Sequence, residues 1–283
     1  LTFHKKLSLF DILNVMFFLI LGVVMLFPFL NVIALSLEPE HIAADTSRIH
    51  LIPRQATLDA YKLIWEFGQV QRAFWNSAYT TLVGTLLAVL LTGMMAYGLA
   101  QRHVPGMRLL LYMVMFTMVI KTGIIPTYMI IKSLGLINHL WAVIVIHLLS
   151  AFNLFLMKVF FENLPRELPE SAKIDGCSEV GIFFRLIIPV SAPIFATCAL
   201  FYAVGLWNDY FNIVMFITSD QKKTLQVLLR EILIQSVDAE GGLSLGKNLK
   251  MATTIYAIVP ILLVYPFLQK HFTKGILLGA VKG

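Results

Sequence analysis

The chain has 283 residues, 58% of them hydrophobic and only 13% charged, with a formal net charge of +6 at pH 7 and a mean hydropathy of +0.81. Soluble domains run nearer ~45–50% apolar and ~25% charged, so the composition excludes a water-soluble globular enzyme, whose surface needs a polar shell. It also excludes a nucleic-acid partner as the meaning of the positive charge, because Lys and Arg lie on short connections between apolar runs and not on one accessible face.

Taken in chain order, residues 12–37, 73–101, 133–157 and 186–208 contain no Asp, Glu, Lys or Arg; residues 251–269 add another such run, and 109–131 is interrupted only by Lys121. A bilayer core of ~30 Å takes roughly 20 apolar helical residues. The pattern therefore predicts an all-α membrane protein, one domain over residues 1–283, with six spans near 12–37, 74–101, 108–131, 140–161, 190–218 and 251–269. The first run lacks a small-x-small cleavage site and is longer than a signal-peptide core of ~7–15 residues, so it reads as a retained span.

The connections differ in character. Residues 38–73 are mixed in charge and carry Pro39 and Pro53, while 102–107 are short and basic, with Arg102, His103 and Pro105. The third, 126–139, holds Pro126, Lys132, Gly135 and Asn138; the fourth, 162–189, is the most polar. The fifth, 219–250, contains an amphipathic stretch from Leu225 to Ile234, and the tail 270–283 is basic. With both termini cytoplasmic each side receives eleven Lys/Arg. The inner segments are shorter and so denser in positive charge, which favours that orientation slightly.

The second span carries small residues every four positions, Thr80, Gly84, Ala88, Thr92, Ala96 and Ala100. Such a stripe lets another helix backbone approach closely, in this chain or in a partner. The two cysteines, Cys177 and Cys198, have no CxxC spacing, and neither a zinc site nor a disulfide framework is expected. Gly241, Gly246 and Lys247 imitate a phosphate-binding loop, but Asn248 stands where a magnesium-binding Ser or Thr is needed and no strand precedes it. Any ATP chemistry then belongs to another chain.

The fourth connection is the most informative. Pro165 and Pro169 break the chain and predict a helix start at about Pro169, with Glu170 in the first turn, where an acid complements the helix dipole. Residues 170–175 form a short helix in this reading, Gly176 lets the chain turn, and 178–188 form a second helical stretch. Pro189 then opens the fifth span. The result is a helix-turn-helix on the membrane surface joined to two spans, able to pass a push from a soluble partner into the membrane; an ordinary amphipathic interfacial loop is the plainer alternative.

The sequence Glu170-Ser171-Ala172, then Asp175-Gly176, nine residues, and Leu186-Ile-Ile-Pro189 resembles the EAA loop of the permease subunits of bacterial ABC importers. Ser171 replaces the usual Ala, and Leu186 and Ile188 exchange Ile and Leu; the spacing is intact. Asn76-Ser77, Pro126-Thr-Tyr, Leu134-Gly-Leu-Ile-Asn138 and Trp207-Asn208-Asp209 are similar to the maltose-type carbohydrate permeases, and the ending 274–283 to a subgroup for complex, uronate- or alginate-type oligosaccharides. The resemblance implies a type I ABC importer permease fold in the bacterial inner membrane, paired with a second, related permease as a heterodimer. It also implies two cytoplasmic ATPases that bind ATP and magnesium, and an extracytoplasmic solute-binding protein that delivers the sugar. Glu170, Ser171, Ala172, Asp175, Gly176, Leu186 and Pro189 are the expected ATPase-coupling residues, with Glu170 reaching a basic group on the ATPase. Residues 219–250 correspond to the segment that meets the binding protein.

Asp209 is the one acid inside an expected span. Beside Trp207 and Asn208 it supplies either an aromatic-plus-polar sugar contact or an interhelical hydrogen bond. Lys121 either attracts an acidic sugar or snorkels to the interface. Asn153 either lines the path or satisfies a neighbour. No catalytic constellation or metal-ligand cluster is expected, so the chain is not read as an enzyme. The competing transport reading is an ion-gradient-driven secondary transporter, which calls for internal repeats and mid-membrane carboxylates.

Overall fold

Long apolar sequence with few helix breakers forms the two longest helices, α1 (Leu9–Leu37) and α4 (Gln69–Ala100), each long and apolar enough to cross a bilayer. The computed structural model describes residues 9–45, 47–66, 68–101, 104–120, 122–165, 167–235, 246–260 and 262–263. Among them every regular element is helical. The chain divides into two compact units, Leu1–Val70 with Leu229–Val259, and Gln71–Leu228 with Pro260–Gly283.

In the first unit α1 is buried only near its end, at Ala34, Leu35 and Ser36. Its remaining apolar side chains, Leu9 through Leu30, are largely uncovered by the chain and need lipid or another apolar surface. Beyond it come α2 (Glu40–Ala43) and α3 (Asp59–Glu66). The irregular stretch between them is organised around buried Glu38, whose carboxylate meets His50 Nδ1 and accepts the Arg54 N–H at 3.0 Å. His50 Nε2 lies 3.0 Å from the Asp45 carbonyl, and Asn248 Nδ2 donates to the Glu38 carbonyl at 3.2 Å.

The second unit is built on α4. Its every-fourth-residue stripe is inside as far as Ala96: Ala88, Thr92 and Ala96 have no exposed surface, Thr80 has 1%, and Ala100 is partly buried. The helix it receives is α12 (Ala192–Trp207) of the same chain. A Cβ on Gly84 would sit 2.7 Å from Leu206 Cδ1, so any larger residue there displaces the leucine side chain. Thr92 Oγ1 and Tyr202 Oη lie 2.6 Å apart across the same seam.

Three expected spans are interrupted. The stretch predicted as one helix over 108–131 is α5 (Met107–Val119) and α6 (Ile124–Ser133). In a continuous helix the ring of Pro126 would strike the carbonyl four residues back; placed in the first turn of α6 it forfeits no bond. The span over 140–161 is α7 (Trp141–His147) and α8 (Ala151–Glu162), bent by 46°. Ser150 takes an extended conformation there and its Oγ caps the Asn153 N–H at 3.4 Å. The span over 190–218 bends by 86° at Ser191, runs as α12, and breaks again at Asn208 before α13 (Phe211–Phe216). The pairs α5 with α6 and α7 with α8 are each together long and apolar enough for a single crossing. The last span, expected over 251–269, is helical from 247 to 260, and its final third lies outside the described residues.

Candidate functional site

The fourth connection folds as α9 (Glu167–Ile174), a turn, α10 (Glu179–Ile182), a π-turn over Phe183–Ile187 and α11 (Ile188–Val190). The helix begins two residues before the predicted Pro169. That proline therefore lies in the first turn, where its missing N–H leaves no bond unmade. The turn is a closed Schellman motif: the Cys177 N–H reaches the Ala172 carbonyl and the Gly176 N–H reaches the Lys173 carbonyl, both at 3.0 Å. Gly176 has φ +79°, the left-handed conformation that the motif requires and that glycine adopts without penalty. Ser178 Oγ then accepts the Gly181 N–H at 3.2 Å and starts α10.

Across the turn, Lys173 Nζ and Glu179 Oε1 are 2.6 Å apart. The hydrogen bond to Glu179 raises the Lys173 ammonium above its ordinary pKa. Ala172 is half-buried and packs on the core that includes Tyr97, Phe161, Phe183 and Ile187, with Leu186 and Ile188 beside it. A larger side chain at 172 would lift the helix from this seat. Glu170, Ser171, Asp175 and Gly176 are exposed, and so are two apolar residues, Ile174 at 86% and Val180 at 61%. Pro189 does not open the span as predicted. It is the second residue of α11, and because it has no N–H for the carbonyl of Arg185, the chain widens into the preceding π-turn, where Ile188 donates to Phe183. The span itself starts after Ser191, with Pro193 in its first turn.

The 86° bend sets the α10–α11 segment nearly perpendicular to α12. Between α9 and the ends of α4 and α8 there is a cleft of ≈ 380 Å³, lined among others by Tyr97, Gln101, Glu162, Glu170 and Lys173. Lys158, one helical turn before Glu162 on α8, is buried and pairs with it at 2.8 Å. Sequence reasoning passed over this pair because charges at the end of a span are ordinary; the i,i+4 spacing was the available signal.

Of the expected path residues, the structure describes Asp209, Asn208, Trp207 and Asn153. Asp209 is 7% exposed and is engaged within the chain: its Oδ1 accepts the Asn212 N–H at 3.1 Å, and its Oδ2 accepts Asn212 Nδ2 at 2.9 Å. His147 Nε2 lies 3.6 Å from the same Oδ2. His147 Nδ1 is 3.0 Å from the Val143 carbonyl, an acceptor only, so that nitrogen carries a proton. Thus α7 and α13 are joined by a buried acid and a histidine that sequence reading missed. Asn208 Nδ2 turns back to the Val204 carbonyl at 2.9 Å. Trp207 is buried edge-on to Phe74 at 6.1 Å, and its Nε1 has no partner among the described residues. Asn153 is 3% exposed, with Oδ1 likewise unpartnered and its carbonyl facing Cys198 Sγ. Lys121 and Gly241 lie outside the described residues. Tyr202 is a second missed residue: its hydroxyl accepts the Ser150 N–H at 2.8 Å and so satisfies the break between α7 and α8.

Membrane-length apolar helices, broken apolar stretches and a helix-turn-helix with exposed apolar tips are the features of a membrane transport permease. The chain belongs to the family of binding-protein-dependent transport system inner membrane components, which matches residues 102–277. It is 45% identical to Protein LplC of Bacillus subtilis (strain 168), over 100% of this chain and 98% of that one. It is 42% identical to the polygalacturonan/rhamnogalacturonan transport system permease protein YtcP of the same organism, over 98% and 100%. A crystal structure of a bacterial ABC transporter involved in the import of the acidic polysaccharide alginate contains a chain that superimposes with TM-score 0.86 at 25% identity, covering 96% of this chain and 99% of that one. The fold is therefore the all-α type I ABC permease fold. The protein is an ABC import permease, and the ion-gradient alternative is set aside.

Proposed function

We propose that this chain is one of two related permease subunits of an ATP-driven importer for acidic oligosaccharides. It forms a single membrane domain of six spans with both termini in the cytoplasm. Two ATPase subunits carry ATP and magnesium and perform the hydrolysis, and an extracytoplasmic binding protein delivers the sugar. The observation that carries this reading is the helix-turn-helix over 167–190, a locally closed unit seated on the core through Ala172 while Glu170, Ile174 and Val180 face outward. That surface suits a cleft with apolar walls and a basic group on the ATPase. The acidic substrate class is supported by the names of two similar transporters, for polygalacturonan/rhamnogalacturonan and for alginate.

Gentle-detergent purification from the native membrane, with the mass and identity of every co-purifying chain, tests this. A particle with a second permease and two ATPases is expected. A lone chain or a homodimer without ATPase, in a detergent that keeps other complexes whole, would refute it. Uptake of neutral oligosaccharides that uronate oligomers fail to compete with would refute the substrate class.

A further inference from the structure

Three polar residues from two distant segments converge on the stretch between α13 and α14 (Leu225–Gln235), the entry to the outer connection. Asn76, near the start of α4, donates both hydrogens of Nδ2, to the Gln221 carbonyl at 2.9 Å and the Lys223 carbonyl at 3.0 Å. Its neighbour Ser77, 1% exposed, accepts the Leu225 N–H on Oγ at 2.9 Å. Asn138, between α6 and α7, accepts the Thr218 N–H at 3.3 Å and the Ser219 N–H at 3.0 Å on Oδ1. Its own N–H donates to the Phe216 carbonyl at 2.8 Å, and Lys222 Nζ donates to its carbonyl at 2.7 Å.

Two features make this more than incidental polar packing. The side-chain contacts of Asn76, Ser77 and Asn138 all go to main-chain groups of 218–225, so they hold the backbone of that stretch itself, with the Lys222 side chain as the one return contact to Asn138. Secondly, α14 is capped from another helix. The residue at its N-cap, Thr224, is 3% exposed with its hydroxyl unpartnered among the described residues, while Ser77 of α4 accepts the first N–H of the helix, at Leu225. Asn138 itself has φ +62°, which asparagine tolerates far better than most residues.

We infer that Asn76, Ser77 and Asn138 form a clamp that fixes the backbone of 218–225, the entry to the outer connection, and so holds the root of the segment that meets the delivering binding protein. They are positioning residues for delivery and touch no sugar. This rests on the importer reading above and adds to it which residues hold the docking segment in place.

The chemistry supplies a matched pair of substitutions. N76D removes both donated hydrogens at almost unchanged size, whereas N138D keeps both acceptor lone pairs. N138G keeps the positive φ and loses the acceptor. The experiment uses the complete complex in proteoliposomes, with ATPase rate measured against the concentration of sugar-loaded binding protein. N76D and N138G are expected to raise the KM for binding protein by about tenfold while the maximal rate stays near wild type. N138D and S77T are expected to follow the wild type. An unchanged KM in N76D and N138G complexes that assemble in normal yield would overturn the clamp. So would a fall in maximal rate alone, or equal damage from N76D and N138D. If N76D does not assemble, the comparison of N138G with N138D decides in the same way. A wild-type complex with no response to binding protein would overturn the importer reading itself.

Discussion

The two ends of the α4 body are held by opposite means. At the helix-turn-helix end the bonds that close the turn are local: Cys177 to Ala172, Gly176 to Lys173, Gly181 to Ser178, and Lys173 to Glu179. At the outer end Asn76 reaches residues 145 and 147 positions away, and Asn138 reaches one 81 away. A unit closed by its own hydrogen bonds keeps its shape while it is pushed, and its exposed Ile174 and Val180 remain available to whatever pushes it. A stretch held by remote side chains keeps its direction only while the helices that carry them stay together. The first arrangement suits a lever, the second a fixed mount.

The largest expected effect breaks the lever. Gly176→Val puts a β-branched residue at φ +79° and opens the Schellman turn. Sugar uptake should fall by more than about tenfold while ATPase subunits still co-purify, because assembly tolerates a strain of ~1–2 kcal/mol better than coupling does. Uptake equal to wild type would mean the turn is not part of the drive. Next comes the seam between the two ends. Gly84→Leu overfills the contact with Leu206 and should destabilise the purified complex by ~1–3 kcal/mol, seen as a lower unfolding temperature. Tyr202→Phe leaves the Ser150 N–H and the Thr92 hydroxyl without their shared partner. A loss of about 1 kcal/mol is expected, and adding Thr92→Val should bring little further loss if the two act through one bond.

The smallest effect sharpens the comparison. Lys173 and Glu179 are 38% and 61% exposed, so Lys173→Gln should change stability by less than about 0.5 kcal/mol. Because the Lys173 pKa is raised in the folded chain, the pair's contribution is complete below the unfolded lysine value of about 10.4 and is lost only as pH rises through the higher folded value. Melting curves of wild type and variant should stay parallel from about pH 6 to pH 9 and converge only above it. A gap that opens near neutral pH would show that another group controls the turn.

The same contrast explains what could be read in advance. The short helix carrying Glu170 and the turn at Gly176 were legible because that unit is made of neighbours, and spacing alone describes neighbours; the π-turn that displaces Pro189 from the start of the span was not. Charge-free runs marked the membrane helices for the same reason, since apolarity is a property of a window. The breaks were hidden. Ser150 and Ser191 look like tolerated polar residues in an apolar run, and only the backbone reveals that one caps a new helix and the other marks an 86° bend. His147 carries no signal on its own; its meaning comes from Asp209, 62 positions later in the sequence. Asn76, Ser77 and Asn138 were visible as family-like motifs, but their shared target was not, because three remote side chains meeting one backbone stretch is a purely tertiary fact.

The native thiols offer the most direct test of the lever. Cys177 is exposed in the turn between α9 and α10, and Cys198 is fully buried in α12 and serves as the silent control. Maleimide labelling of Cys177 should be slow in the complete complex and become fast when the ATPase subunits are stripped away, with Cys198 unlabelled in both. Equal labelling of Cys177 with and without the ATPases would contradict the assignment of this turn as the point where the motor engages the permease.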